Sequence, residues 1–309
     1  MIIIASALIP ILVTILLGYA IKRSNMLSQD FWSSTESLTY YILTPSLLIS
    51  ILANRPLSQL PWVSFISAVV ITVLVSAIII IVYQSLFKTF SSSTFTSVFQ
   101  GGVRFNTFVA LVLVSSLYGD EGLSYAALAA TAMIILINIL CVSVFSISMG
   151  NEGIKILSVL KQIAKNPLIL GAGSGILLNL SGVGLHPILV DSLDLFGRAA
   201  FPLGLMLVGA ALSFKGISLH YKPILISSIV QFIIKPVCAV GVVLVFKIDP
   251  VPAMVLIIFM CVPTAPSAYI LARKLGGDAA AMASIITSQT LIGFVSIPLI
   301  IFWASEFIG

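Results

Sequence analysis

Long apolar runs alternate with short polar connections along the whole of this chain. A helix of about 20 residues crosses a hydrocarbon core about 30 Å thick, so runs of this length predict membrane spans. The pattern therefore predicts an all-α integral membrane protein with ten transmembrane helices. The predicted spans are 2–21, 34–53, 62–87, 95–118, 123–148, 166–185, 190–213, 223–246, 251–275 and 279–305.

Proline and glycine positions predict that the ten spans form two related halves. The matched positions are Pro10 and Pro45 with Pro167 and Pro202, and Gly119-Asp120 with Gly277-Asp278. The proline pairs share a spacing of 35 residues, and the Gly-Asp pairs repeat at an offset of 158 residues. Because five is an odd number of spans, the second half enters the membrane from the opposite side. We therefore expect a 5+5 inverted repeat, a common plan of secondary transporters.

Composition excludes the water-soluble classes of protein. Hydrophobic residues make up 60% of the chain and charged residues 8%, and the mean hydropathy is +1.21. The three cysteines lack metal or redox spacing, and the chain has no nucleotide-binding loop, HExxH sequence or nucleophile elbow. We therefore expect neither an enzyme nor a resident cofactor or metal.

The distribution of the cations predicts the orientation in the membrane. With the N-terminus outside, ten cations fall in cytoplasmic loops and two, Arg55 and Lys247, fall outside. The ten are Lys22, Arg23, Lys88, Lys155, Lys161, Lys165, Lys215, Lys222, Arg273 and Lys274. This positive-inside bias predicts that both termini lie outside. It also accounts for the net charge of +5 without a nucleic-acid partner, so the expected partner is the lipid bilayer.

Polar residues interrupt the fourth predicted span between Gly101 and Thr107. Two adjacent glycines weaken the helix there, and Arg104 costs about 2.5–3.5 kcal/mol on insertion scales if it lies near the bilayer centre. The arginine is expected to bind an anionic substrate group. The alternatives are that it pairs with carbonyls at a helix end or extends its charged end toward the membrane interface. The amide of Asn106 and the hydroxyl of Thr107 are candidate substrate contacts at a lower cost of insertion.

A second interruption lies in the ninth predicted span, between Pro263 and Ser267. Pro263 and Pro266 each remove a backbone donor and disfavour a helix at the preceding residue. Freed carbonyls, together with the hydroxyls of Thr264 and Ser267, are expected to line a cavity. The alternative is a simple kink that neighbouring helices repair. Since the repeat pairs the two interruptions, we expect them to meet at mid-depth as a substrate site.

Other intramembrane polar residues give weaker signals. Asn138, Gln231 and Gln289 are candidates for the cavity, and hydrogen bonding between helices is an equal alternative for each. Glu36, Arg198 and Lys235 are placed toward the ends of spans, where solvation at the membrane interface is expected.

Several motifs of the second half resemble those of the auxin efflux carrier family in its compact bacterial form. They are Asn166–Gly171, Phe201–Gly209, Pro263–Tyr269 and Gly276–Asp278. The resemblance implies a fold similar to bile-acid/sodium symporters and sodium/proton antiporters, with broken helices 4 and 9. It also implies scaffold helices in 1–57 and 149–215, and a moving transport domain in 58–148 and 216–309. In plant members of this family, an asparagine and the prolines at the helix crossing contact the substrate. By motif position, these residues correspond to Asn106, Pro263 and Pro266.

The resemblance implies transport of a small organic anion by elevator-type alternating access. Malonate, malate and auxin-like carboxylates are the candidate substrates, and a homodimer through the scaffold helices is the expected assembly. Plant members of the family have a long cytoplasmic loop that this chain lacks. This difference favours a prokaryotic carrier of the inner membrane. The alternatives are a sodium-coupled importer resembling bile-acid symporters and, less favoured, a membrane sensor that binds its ligand without moving it.

Overall fold

In a computed structural model of the chain, every regular element of the described part is helical. The described residues are 2–53, 61–150, 161 and 164–308. In the first half the α-helices are α1 (Ile2–Arg23), α2 (Gln29–Leu38), α3 (Thr44–Ala53), α4 (Trp62–Phe87), α5 (Ser92–Val103) and α6 (Thr107–Ser148).

The second half is also built from helices of different lengths separated by breaks. Its α-helices are α7 (Pro167–Ser181), α8 (Pro187–Ala210), α9 (Tyr221–Ile229), α10 (Lys235–Phe246), α11 (Pro250–Cys261), α12 (Ser267–Leu275) and α13 (Ala279–Ile308). Single π-helical turns join α2 to α3 at Thr39–Leu43 and α9 to α10 at Val230–Ile234. The predicted boundary at 57/58 and the cations Arg55 and Lys155 lie outside the described residues.

Seven stretches of the described chain are long and apolar enough to cross a membrane. They are Ile2–Arg23, Gln29–Ala53, Trp62–Phe87, Ser92–Ser148, Pro187–Ala210, Ile217–Phe246 and Ala279–Ile308. Two apolar helices, α7 and α11, are shorter. The expectation of an all-α membrane protein is therefore confirmed.

The helix α11 forms the centre of the apolar core. Every residue from Pro252 to Cys261 is buried, so the helix is enclosed on all sides. It packs against α6, α10 and α13. Phe259 lies 5.5 Å from Phe105, centroid to centroid, at the point where the chain leaves α5. The core thus surrounds one of the two places where the predicted spans are broken.

Asp278 ties the start of α13 to the start of α5. Its carboxylate accepts hydrogen bonds from the Ala281 N–H at 2.9 Å and from the Thr94 hydroxyl at 2.9 Å. The Ser97 hydroxyl donates to its backbone carbonyl at 2.8 Å. Asp278 is therefore both an N-terminal cap and a link between the two halves of the chain.

Close helix contacts at glycines hold α1, α3, α7 and α8 together. A Cβ atom on Gly209 would meet the backbone of Ile15, and one on Gly18 would meet the backbone of Met206. On Gly175 it would lie 2.9 Å from the Cβ of Leu52. Small residues at these positions let the helix backbones approach each other, as in other membrane helix pairs.

The substitution Gly175→Leu is expected to reduce the yield of folded, monodisperse protein, because the new side chain would overlap α3 at a cost of about 1–3 kcal/mol or more. Size-exclusion chromatography of detergent-solubilised protein measures this yield. Gly173→Leu is the matched control, since that glycine lies in the same helix and a Cβ atom on it would meet no other atom within 4 Å. Equal yields from the two variants would contradict the packing argument.

Candidate functional site

The two interruptions predicted from the sequence are breaks in the helices, and they lie against each other. The first is Arg104–Asn106, between α5 and α6, and the second is 262–266, between α11 and α12. The Thr264 hydroxyl donates to the Gln100 carbonyl at 3.5 Å, which joins the second break to the last turn of α5. We call these two breaks and the four helix ends beside them the crossing.

The first break begins later than the sequence predicts. Gly101 and Gly102 are helical, so the expectation that they interrupt the span is wrong. A Cβ on Gly101 would lie 2.7 Å from Ile285 and 2.9 Å from Ser227. The glycines therefore allow α5 to pack closely against α9 and α13. The backbone becomes extended at Arg104, with φ −72° and ψ 163°.

Asn106 uses only the oxygen of its side-chain amide within the described part of the protein. Its Oδ1 accepts from the N–H groups of Phe108 at 3.1 Å and Val109 at 3.3 Å, which caps the N-terminus of α6. Its Nδ2 has no hydrogen-bond partner among the described residues, although the side chain is only 1% exposed. A buried amide donor without a partner is unfavourable, and a ligand that accepts a hydrogen bond would satisfy it.

A cavity of about 580 Å³ lies beside the crossing. Four predicted site residues line it: Asn106, Thr107, Pro266 and Ser267. Apolar side chains form much of the remaining wall, and its polar or charged members are Lys22, Gln29, Trp32, Ser33, Glu36, Tyr40, Thr44, Ser213 and Tyr269. The cavity therefore combines polar groups at the crossing with an apolar wall, as ligand pockets commonly do.

Two other predicted residues lie behind the cavity wall. Pro263 is buried beside Gly293 of α13. Thr264 is fully buried, and its N–H donates to the Gln289 side chain at 3.1 Å. Both residues shape the second break rather than line the cavity.

Arg104 lies at the edge of the crossing and is partly buried. Its guanidinium donates to Asn138 Oδ1 and to the Ser267 hydroxyl, each at 3.5 Å. No carboxylate of the described chain lies within 4 Å of it. Arg104 thus brings a positive charge next to a hydroxyl that lines the cavity. Its hydrogen bond to Asn138 connects that residue to the crossing.

The two glutamines connect backbone groups of the breaks. Gln289 donates to the Gly101 carbonyl at 2.9 Å and accepts from the Thr264 N–H, so one amide joins the last turn of α5 to the second break. Gln231 donates to the Val262 carbonyl. Both side chains are fully buried and neither lines the cavity. They satisfy backbone groups that the breaks leave without helical partners.

Lys235 is not at the end of a span, so that expectation is wrong. The residue is fully buried, and its ammonium donates to Gln231 Oε1 at 2.9 Å and to the Val103 carbonyl at 3.3 Å. Its place near the middle of the predicted span 223–246 was the signal for this position. Arg198, in contrast, is exposed and pairs with Asp194 at 2.7 Å.

Glu36 and Tyr40 complete the polar part of the cavity wall. Sequence reasoning gave no role to Tyr40 and placed Glu36 at the membrane interface. Both belong to the helical stretch that contains the π turn Thr39–Leu43. Extra-residue turns of this kind occur often at functional sites, but a π turn has no reliable pattern in the sequence.

Comparisons with known proteins give a consistent result. A family model described as "Membrane transport protein" matches residues 3–301. An "Uncharacterized transporter" of Methanothermobacter thermautotrophicus is 24% identical over 290 residues, which cover 94% of each chain. The resemblance to the auxin efflux carrier family is thereby confirmed.

The substitution Gln289→Leu is expected to lower the melting temperature of the purified protein. It leaves the Gly101 carbonyl and the Thr264 N–H buried without a partner, at about 1–3 kcal/mol each. Thermal unfolding in detergent measures the loss, with Leu291→Ala on the exposed side of the same helix as the control. A Gln289→Leu variant as stable as the wild type would contradict the role assigned to this amide.

Proposed function

The chain belongs to the membrane transport protein family, and on that premise we propose that it carries a small organic anion across the membrane. The observation that supports this substrate class most directly is the Nδ2 donor of Asn106, which is buried and has no partner among the described residues, in a residue that lines the cavity. Such a donor matches an acceptor on the substrate, and a carboxylate oxygen is a strong acceptor.

Two helix N-termini favour a negative charge in the same place. The helices α6 and α12 begin at Thr107 and Ser267, and both residues line the cavity. Each N-terminus carries roughly half a positive charge, so the pair attracts about one unit of negative charge. The guanidinium of Arg104, 3.5 Å from the Ser267 hydroxyl, adds to this potential.

The size and lining of the cavity limit the substrate to a small molecule. Its volume of about 580 Å³ lies within the usual range for small-molecule pockets. Phe108, Leu168, Leu207 and Ile286 provide apolar surface for a hydrocarbon portion. A carboxylate with a short hydrocarbon part, such as malonate, malate or an auxin-like acid, fits both the polar and the apolar groups.

The carrier is proposed to have ten spans in a 5+5 inverted arrangement. The stretch Ser92–Ser148 counts as two spans because Gly119, with φ +54°, interrupts its helical backbone. The short α7 and the broken pair α11 and α12 supply two more. The proposed scaffold contributes Leu168 and Leu207 to the cavity wall, and the proposed transport domain contributes Asn106 and Pro266. A cavity shared in this way supports elevator-type motion. The proposed assembly is a homodimer formed through the scaffold.

The predicted orientation of the protein in the membrane favours export of the substrate. Lys22 and Gln29, which hydrogen-bond to each other, are among the residues that line the cavity. If Lys22 lies on the cytoplasmic side, as the charge bias predicts, this cavity loads substrate from the cytoplasm and both termini lie outside. An anion that leaves a prokaryotic cell down the membrane potential gains about 2.3 kcal/mol per charge per 100 mV. Export therefore needs no coupling ion.

Asn106→Asp tests the substrate contact. Aspartate keeps the oxygen that caps α6 but replaces the free N–H donor with a second oxygen and adds a negative charge. We expect the variant to fold normally and to lose at least about tenfold in affinity for carboxylates, which is about 1.4 kcal/mol. The measurement is the concentration of malonate, malate or indole-3-acetate that half-maximally stabilises the purified protein against heat, together with uptake into proteoliposomes.

Asn166→Asp is a matched control for this experiment. Asn166 caps α7 with the same geometry, accepting from the N–H groups of Leu168 at 2.9 Å and Ile169 at 3.4 Å. It does not line the cavity, so its variant should keep wild-type affinity. Wild-type affinity in Asn106→Asp as well would refute the proposed contact.

A further inference from the structure

The ammonium of Lys235 is buried inside the protein, and none of the described residues places an anionic side chain beside it. The residue has no exposed surface, and no carboxylate of the described chain lies within 4 Å of its Nζ. A buried charge is unfavourable unless its surroundings compensate for it. Lys235 does not line the cavity, so a substrate in the cavity is not the compensating partner.

The compensating groups are the carbonyl ends of two broken helices. The Nζ of Lys235 donates to the carbonyl of Val103, the last residue of α5, at 3.3 Å. It also donates to Gln231 Oε1 at 2.9 Å, and Gln231 in turn donates to the carbonyl of Val262, which caps the C-terminus of α11. The lysine and glutamine therefore connect the C-terminal ends of both helices that enter the crossing.

The charges at this position balance. Each helix C-terminus carries roughly half a negative charge, so the two ends together carry about one. One ammonium neutralises them. In other carriers with broken helices, half-helix C-termini and unwound carbonyls coordinate a sodium ion or a proton-bearing group at the corresponding kind of place.

We propose that Lys235 is a covalently attached counter-cation of the crossing, which occupies the place of a bound sodium ion and makes the carrier independent of sodium. The proposal deepens the function proposed above, because it concerns the coupling of the same carrier and therefore rests on that function. It gives the C-terminal and N-terminal helix ends of the crossing opposite electrostatic roles. The C-terminal ends are neutralised by the protein itself, whereas the N-terminal ends remain available to the anionic substrate.

The π turn Val230–Ile234 gives Lys235 its position. The N–H of Lys235 bonds to the Val230 carbonyl, five residues earlier, so the turn holds one residue more than an α-helical turn. Gln231 and Lys235 then lie one turn apart and hydrogen-bond to each other. The exposed Lys222 lies at the start of the same helical stretch and provides a control for removing a lysine charge.

The first test compares the wild-type protein in sodium chloride and choline chloride at equal concentration, without any carboxylate. The melting temperature is expected to be the same in both salts, because the cation's place is already occupied. Specific stabilisation by sodium would overturn the proposal. This readout needs neither a variant nor a substrate, so it stays informative even if the protein binds none of the carboxylates tested.

The second test removes the charge. Lys235→Met fills similar space without a charge and is expected to melt about 5 °C or more below the wild type in either salt. Lys235→Ser also removes the charge but leaves room for a hydrated cation, so sodium should raise its melting temperature relative to choline. Lys222→Met should match the wild type in both salts. A Lys235→Met variant of wild-type stability, or a Lys235→Ser variant without a response to sodium, would overturn the proposal.

A third test, an uptake experiment, distinguishes failure of the Lys235 proposal from failure of the proposed anion transport. Carboxylate uptake by wild-type proteoliposomes should proceed equally with sodium and with choline outside and inside the vesicles. Uptake that requires sodium would overturn the role of Lys235 and leave anion transport standing. Absence of carboxylate uptake and binding in both salts would instead count against the proposed function, while the melting comparison would still decide the role of Lys235.

Discussion

The structure depends on satisfying the backbone polar groups that two broken helices leave at membrane depth. Lipid offers no hydrogen bonds, so an irregular backbone there needs partners from the protein or from a water-filled cavity. Gln289 supplies them to Gly101 and Thr264, and Gln231 supplies one to Val262. These buried amides make the breaks compatible with a tightly packed apolar core, and the breaks in turn create the cavity.

The crossing also separates opposite partial charges. Lys235 contacts the carbonyl end of α5 and reaches that of α11 through Gln231. The N-termini of α6 and α12 begin at the cavity instead, with Asn106 as the cap of α6. The direction of these four helix ends therefore favours an anion on the cavity side, and few charged side chains are needed. This arrangement agrees with a chain in which only 8% of residues are charged.

The sequence predicted the helical class, the regions of both breaks and four residues of the cavity wall, because apolar run length and proline chemistry are local properties. It did not predict which side chains face the cavity. Pro263 and Thr264 are buried behind it, and the glycines at 101 and 102 serve packing rather than the break. The position of Lys235 was missed although it lies near the middle of the predicted span 223–246, and its contact with the carbonyl of the distant Val103 is a tertiary one that no local pattern shows.

Carboxylates and their uncharged amides, which are similar in size and shape, test whether the crossing binds a negative charge. Isothermal titration of the purified protein would compare malonate, malate and indole-3-acetate, each with its uncharged amide. We expect saturable binding of at least one carboxylate, weakened by added salt, and no binding of the matching amide. Equal binding of a carboxylate and its amide would show that the helix termini and the guanidinium contribute nothing to recognition, and the proposed anion site would be wrong.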